Sequence, residues 1–294
     1  MNPTSENPYI MGINRVQDYI ENHLDKTMTV KELADIAAFS QYHFLRIYGL
    51  LTGETLYAFI KRLRLEKAAF LLSSRRDRSI TDIALSVGFS NQASFAKAFK
   101  QKFGISGREY RNKNKSVEEV RFTGYSHEEI DMNIQPVDIQ IRTEKARKLI
   151  YLRYTGPYKG DSDLFSEMFQ KLYQWANERD LVSRNSRWFV IYHDLGLETD
   201  EDQLRLSVCM SVDRNVALNG EIGLLELKEG KYGVGRFHVN PSEYGKAWYY
   251  MFANWLPGSG FKPDETFALE HYPPAELSPE GKRLVEIYIP IVKS

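Results

Sequence analysis

Two short stretches of this 294-residue chain carry side chains suited to reading base-pair edges, each on one face of an expected helix. Setting the apolar positions aside leaves Gln41, Tyr42, Leu45 and Arg46 in the first stretch, and Gln92, Ser94, Lys97 and Lys100 in the second, with Ala93 and Ala96 between them. A guanidinium is a planar fork that can donate two hydrogen bonds to guanine, a carboxamide can pair with adenine, and a leucine can meet a thymine methyl. Arg46, Gln41, Gln92 and Leu45 thus have the chemistry of base readers, whereas Lys97 and Lys100 suit phosphate oxygens. The plainer alternative is a solvated helix face, and one such stretch alone would not decide between the two.

The elements that must hold these residues are written twice, about fifty positions apart. Val30, Leu33, Ala34 and Ala37 fall at helical spacing, Phe39-Ser40 breaks the pattern, and Phe44, Ile47, Tyr48 and Leu51 resume it. Ile80, Ile83, Ala84 and Val87 repeat those offsets, Gly88-Phe89-Ser90 forms the break, and Phe95, Ala98, Phe99 and Phe103 follow. Two helix-turn-helix patterns in register predict a duplicated DNA-reading unit. Thr52-Gly53 closes the first reading helix, and Thr55 is the expected cap of a linking helix to about Leu72. At 1.5 Å per residue that rod spans roughly 27 Å, comparable to the roughly 34 Å between successive major-groove segments on one face of B-DNA. Thr81 is the expected cap of the second unit's first helix, and Ile13, Val16, Gln17, Ile20 and Leu24 mark a helix ahead of both units, after a polar tail ending near Tyr9.

Charge separates the chain into unlike halves. The total is 39 basic against 39 acidic residues, yet Met1 to Lys115 holds 18 Lys/Arg against 11 Asp/Glu, a net of +7, and the remainder carries −7. A basic half joined to an acidic one is the balance expected of a nucleic-acid module tethered to a different domain. With 43% apolar residues the chain can bury two cores, which excludes an intrinsically disordered protein. No apolar run approaches a membrane span and no charged-then-apolar leader is visible, so neither secretion nor a membrane partner is expected. Cys209 is the single cysteine, which forbids an internal disulfide, suits a reduced cytoplasm and reads as a small buried strand residue.

Proline is absent between Pro8 and Pro136, as a run of helices requires. The expected organisation is a DNA-binding domain at 1–111, a linker at 112–135 and a second domain at 136–294. Beyond Pro136 the period becomes alternating. Strands are expected at Val137–Arg142, Lys148–Tyr154, Trp188–His193 and Leu204–Val212, around a helix at Leu164–Trp175. A similar series recurs as Tyr232–Val239, a helix from Ser242 to Trp255, Thr266–Tyr272 and Leu284–Pro290. The fold class is therefore an all-α domain with two helix-turn-helix units on a linking helix, followed by an α+β domain with a duplicated strand-helix-strand-strand repeat. Met168-Phe169 and Met251-Phe252 occupy equivalent helix positions, the repeat pairs Tyr192 with Glu270, and such a repeat leaves a groove between its halves.

The first hundred or so residues resemble the DNA-binding domain of the AraC/XylS transcription regulators. The likeness rests on Leu33-Ala34, Phe39-Ser40, His43-Phe44 and Arg46, then Thr52-Gly53, Arg64 and Ala68. It continues through Ile83-Ala84, Val87-Gly88-Phe89, Phe95, Phe99-Lys100, Phe103-Gly104 and Tyr110-Arg111. Two departures are present: Gly107 replaces the proline usual before the closing Tyr-Arg, and Gly49-Leu50-Leu51 replaces a usually charged stretch. The resemblance implies double-stranded promoter DNA, a small-molecule effector and RNA polymerase as partners.

The acidic half is similar to the GyrI-like effector-binding domain attached to multidrug-responsive regulators. Tyr154 to Tyr158, Leu204-Arg205, Trp255-Leu256-Pro257, Phe267 to Tyr272 and Tyr288-Ile289-Pro290 carry the likeness. It implies a glutamate in an aromatic groove, at Glu270, that pairs with lipophilic or cationic effectors. Tyr154, Tyr158, Tyr192, Phe237, Trp255 and Tyr272 are the candidate walls. Burying a carboxylate among rings is costly, and a cation offsets that cost with help from the ring faces. Since strand aromatics more often serve a core, about half of the six are expected to line the groove. Two alternatives stand beside this reading: a hydrolase in which Glu270 activates water against an electrophile, and a protein-interaction module with an empty groove. His193-Asp194, His238 and His271 fit no tight ligand spacing, so no metal or cofactor is expected.

Overall fold

The computed structural model describes residues 8–113, 134–194, 199–274 and 277–293. The chain divides into a helical unit holding residues 8–113 and a sheet unit built on residues 134–217 and 224–293. Most of the linker expected at 112–135 lies outside the described residues.

Among the described residues, seven helices make the first unit: α1 (Pro8–Asn22), α2 (Val30–Ala37), α3 (Gln41–Thr52), α4 (Leu56–Ser74), α5 (Ile80–Ser86), α6 (Gln92–Phe103) and α7 (Gly107–Lys113). α1 is described from Pro8, inside the expected tail, and a proline in the first helical turn sacrifices no hydrogen bond. Side-chain caps fix the other starts. Ser40, Thr55 and Asn91 accept from the backbone N–H of His43, Ala58 and Ser94, at 3.4, 3.2 and 2.8 Å. α5 is capped by Ser79 rather than the expected Thr81. Ser79 lies three residues before Asp82, so its hydroxyl accepts from the Asp82 N–H at 3.0 Å and donates to the Asp82 carboxylate at 2.6 Å, a reciprocal cap that Thr81 cannot make.

The two helix-turn-helix pairs, α2–α3 and α5–α6, are built alike. Leu33, Ala34, Ala37, Phe44 and Tyr48 are buried in the first, and Ile83, Ala84, Val87, Phe95, Ala98 and Phe99 in the second. α4 links them; its 19 residues give a rod of about 28 Å. It buries far more than one stripe, including Arg62 and Glu66. Arg62 bonds Glu54 at 2.6 Å and Glu66 at 3.4 Å, and Lys102 of α6 reaches Glu66 at 3.4 Å. The turn before α6 depends on Gly88, whose φ is +91°; a Cβ there would lie 2.1 Å from the Leu24 carbonyl oxygen and 2.7 Å from the Arg64 guanidinium. Arg64 donates to the carbonyls of Leu24 and Lys26 at 3.0 and 2.7 Å, which ties the turn after α1 to α4.

The sheet unit contains β1 (Asp138–Glu144), β2 (Arg147–Thr155), α8 (Ser162–Asn177), β3 (Trp188–Tyr192), β4 (Arg205–Val212), β5 (Ile222–Leu227), β6 (Gly230–Val239), α9 (Tyr244–Tyr249), β7 (Phe261–Pro263), β8 (Leu269–Tyr272) and β9 (Arg283–Lys293). α9 runs straight into a π-helical turn at Tyr250–Trp255, where a single helix was expected. The strand order is β1-β6-β9-β8-β3-β4-β2-β5, with β7 paired to β9. Its centre, β6-β9-β8 against β3-β4-β2, is the expected duplication, joined between β8 and β3.

Register refines that duplication. Leu152, Val208, Val190, Glu270, Ile287 and Gly235 form one continuous row across six strands. Leu152 precedes Met168 by the same number of positions as Gly235 precedes Met251, so the row residues and the helix residues are equivalent together. Glu270 is thus the counterpart of Val190, and Tyr192 that of Tyr272, correcting the expected pairing of Tyr192 with Glu270.

Candidate functional site

All eight residues singled out on the reading helices are solvent-exposed, and Tyr42 reaches 81%. α3 presents Gln41, Tyr42, Leu45 and Arg46, and α6 presents Gln92, Ser94, Lys97 and Lys100, while Phe44 and Phe95 at the same turns are buried. A helix whose apolar stripe is spent on the core leaves its polar stripe outward, a local consequence of the 3.6-residue period. Gln92 is further held by the Thr81 hydroxyl, which donates to its side-chain carbonyl at 3.0 Å. The glycine-leucine stretch after Arg46 leaves Leu50 and Leu51 exposed at the C-terminal end of α3.

The second site centres on Glu270, in the middle of β8 and 1% exposed. Antiparallel register puts Tyr154 and Tyr192 in one row, and Trp188 and Tyr272 in another, on the face of the sheet that Glu270 shares. One Glu270 oxygen accepts from Tyr192 Oη at 3.0 Å and Tyr272 Oη at 2.5 Å; the other accepts from Trp248 Nε1 at 2.6 Å. All three donors are neutral. Burial pushes the Glu270 carboxyl above its ordinary value, against the opposing pull of the hydrogen bonds from Tyr272, Trp248 and Tyr192. The tyrosines around it are raised in turn, first by burial and then by charge: Tyr192 and Tyr272 well above the usual 10, and Tyr244 to about 12. Tyr158 is shifted upward by burial, then by Asp194 and Glu270.

Of the six candidate walls, Tyr192 and Tyr272 touch the carboxylate directly, and Tyr158 packs on Tyr192 with ring centroids 5.6 Å apart. Tyr154 folds back, donating from its hydroxyl to the Pro157 carbonyl at 3.3 Å. Phe237 is wholly buried against Tyr250 at 5.8 Å. Trp255 lies over Gly233, where a Cβ would fall 2.0 Å from the indole. Reasoning from the sequence missed Trp248. Its signal was there: it lies four residues before Phe252, on the helix equivalent to α8, at the place where α8 has Phe165. The Trp248 and Phe252 rings stack with an interplanar angle of 10°.

The opposite face of the sheet holds a contrasting carboxylate. Glu286 bonds Arg142 at 3.0 Å and His271 Nδ1 at 2.8 Å, with Arg236 at 3.7 Å. Burial raises its pKa, but the hydrogen bonds from His271 and Arg142 win and take it down to about 2. Arg187 donates to His271 Nε2, Glu144 and Tyr288 at 3.2, 3.0 and 2.8 Å. His193 Nε2 lies 2.8 Å from Ser207 Oγ, and Asp194 forms a buried ion pair with Arg205 at 2.7 Å. These groups neutralise one another within the protein, whereas Glu270 meets three neutral donors.

Comparison with known proteins follows the same division. The family model described as a GyrI-like small molecule binding domain matches residues 137–292, and a helix-turn-helix domain model matches residues 33–113. A DNA gyrase inhibitor of Erwinia billingiae (strain Eb661) is 26% identical over 161 residues, 54% of this chain and 99% of that protein. The probable transcriptional regulator LumQ of Photobacterium leiognathi is 34% identical over 95 residues, 32% of this chain and 38% of LumQ, so the match spans well under half of that relative. Among solved structures, the C-terminal domain of AraT, a response regulator from Geobacillus stearothermophilus, is 28% identical with a TM-score of 0.35, over 42% of this chain and 98% of that one. No helix among the described residues is long and apolar enough to cross a membrane. The chain belongs to the GyrI-like small-molecule-binding family, and an AraC-type helix-turn-helix domain precedes that domain.

Proposed function

We propose that residues 1–111 recognise promoter DNA chiefly through α3, and that residues 136–294 bind a lipophilic cation at Glu270 whose occupancy alters transcription. Arg46, Gln41, Tyr42 and Leu45 read base edges. Gln92 and Ser94 add contacts from α6, while Lys97 and Lys100 anchor it to phosphates, since Ala93 and Ala96 leave α6 fewer groups for base readout. RNA polymerase is the protein partner of the DNA-bound state. The effector switches activity only by binding one state of the protein more tightly than another.

The observation that carries the effector reading is the contrast between two buried carboxylates. Glu286 has Arg142 and His271 as partners, and Glu270 has three neutral donors from Tyr192, Tyr272 and Trp248. A buried charge without a counter-ion is costly, and a ligand cation supplies the missing charge while the surrounding rings offer their negative faces. The test is a thermal-shift screen of the full chain with a panel of lipophilic cations and neutral analogues, repeated on Glu270→Gln. Stabilisation by cations that disappears in the variant is expected; equal stabilisation of both proteins refutes the role of Glu270. For DNA, Arg46→Ala is expected to relax base preference on a promoter fragment, whereas unchanged preference refutes direct readout by α3.

A further inference from the structure

We propose that Thr81 sets the base preference of Gln92: it holds the carboxamide oxygen toward α5, and the NH2 that remains selects guanine in the major groove. This rests on the reading of α6 as a helix that enters that groove. Gln92 is the first residue of α6 and is exposed, whereas Thr81, half-buried, lies in the first turn of α5. The Thr81 hydroxyl donates to Gln92 Oε1 at 3.0 Å. The oxygen and nitrogen of a carboxamide diverge from one carbon, so an oxygen turned to α5 leaves the two N–H groups turned away from it. Gln92 Nε2 has no hydrogen-bond partner among the described residues. Its neighbour is fixed in the opposite sense. Ser94 donates its hydroxyl proton to the Asn91 carbonyl at 2.9 Å, so its oxygen is left to accept. Of the reading residues in this turn, Gln92 therefore supplies the donor and Ser94 an acceptor.

In the major groove guanine presents two acceptors, O6 and N7, whereas adenine presents the N7 acceptor beside a donor, its N6 amino group. A carboxamide free to turn matches adenine with both its ends. One whose oxygen is engaged matches guanine, and sets its N–H against the adenine amino group. The duplicated unit supplies the comparison. Gln41 holds the equivalent place on α3, but Lys31 stands where the second unit has Thr81, and the Gln41 side chain has no hydrogen-bond partner among the described residues. A lysine carries its donors on a flexible four-carbon stem, whereas a threonine hydroxyl sits on Cβ and is held by a stiff rotamer. The two glutamines share a place and a chemistry, yet Gln41 is free to turn its amide toward adenine and Gln92 is preset. Presetting also removes part of the ordering cost of binding, because the side chain is immobilised before DNA arrives.

The test is selection of sites from a randomised duplex library by the full chain, followed by competition binding with duplexes that differ at one base pair. Gln92→Ala locates the base pair, because preference there should be lost. Wild-type protein is expected to favour guanine over adenine at that position by roughly five- to tenfold, the scale of one good base contact. Thr81→Val keeps the shape of the side chain and removes the hydroxyl; it should bring the ratio down to about twofold or less, whereas Thr81→Ser should retain it. A merely structural role for Thr81 would lower the melting temperature or overall affinity and leave the ratio as it was. Adenine favoured by the wild-type protein, or a ratio that Thr81→Val does not change, overturns the proposal while α6 remains a reader of DNA. A Gln92→Ala protein with wild-type preference at every position overturns base reading by Gln92 itself, and the role of Thr81 with it.

Discussion

Glu270→Gln should make the protein more stable at neutral pH. Glu270 is 1% exposed and its partners among the described residues are neutral donors, so the ionised form is a buried charge met by hydrogen bonds and by no described cation. Burying a charge costs several kcal/mol, and hydrogen bonds to a charged group return about 1.5–3 kcal/mol each. Burial prevails, because the carboxyl pKa is raised above 4.5. Each unit of such a shift is worth about 1.4 kcal/mol. A carboxyl that holds its proton more tightly when folded contributes stability below its unfolded pKa and loses it as pH rises through the folded value. Glutamine is neutral throughout; its carbonyl oxygen can accept from Trp248 Nε1 while its NH2 donates to the tyrosine hydroxyls. We expect a higher Tm for the variant than for the wild-type protein at pH 7.5, with the gain shrinking as pH falls toward the ordinary carboxylate range. All four tryptophans (Trp175, Trp188, Trp248 and Trp255) belong to the second half, so their fluorescence follows that unit within the intact chain. A lower Tm for the variant at pH 7.5, or a difference independent of pH, would refute the reasoning. The same linkage requires cation affinity to rise with pH, since a bound cation favours the ionised acid.

Glu286 should titrate in the opposite sense: its pKa is held down at about 2, so its stabilisation is present above about 4.5 and fades as pH falls toward 2. Glu286→Gln is expected to flatten acid unfolding followed by tryptophan fluorescence. Gly88→Ala should cost more than ~2 kcal/mol, because its φ is +91° and the new Cβ would meet the Leu24 carbonyl; denaturant unfolding followed by far-UV circular dichroism measures it. Arg205→Ala leaves Asp194 buried without its ion-pair partner and should destabilise the sheet unit by about 3–5 kcal/mol in the same fluorescence assay. Lys97→Ala should weaken DNA binding nearly equally across sequences and shallow its salt dependence, whereas Gln41→Ala should change preference at one base position, both read by competition binding at two salt concentrations.

Much of the helical unit was legible in the sequence, because a helix is a local object. The three- and four-residue spacing of Leu33, Ala34, Ala37 and Phe44 states which face is buried, and therefore that Gln41, Tyr42, Leu45 and Arg46 face out. Caps are local too, yet Ser79 and Thr81 both stand at the start of the second unit, and only the pairing of Ser79 with Asp82 shows which of them closes the helix end. The doubled strand-helix-strand-strand order could also be read, but β5 and β7 could not: β7 has three residues, and Ile222 to Leu227 does not alternate apolar and polar residues.

The sequence by itself determined the two-part composition, the duplicated helix-turn-helix pattern and an acid among aromatics in the second half. Only the tertiary structure decided which aromatics meet that acid. Tyr154 and Trp255 carry the same donors in similar strand or helix settings as Tyr192, Tyr272 and Trp248, yet only the latter three bond Glu270. Contact between strands depends on register, and contact between helix and sheet on how closely they approach. The glycines at 233 and 235 set that approach by what they lack, an effect exerted across the sheet-helix interface that no spacing along the chain records.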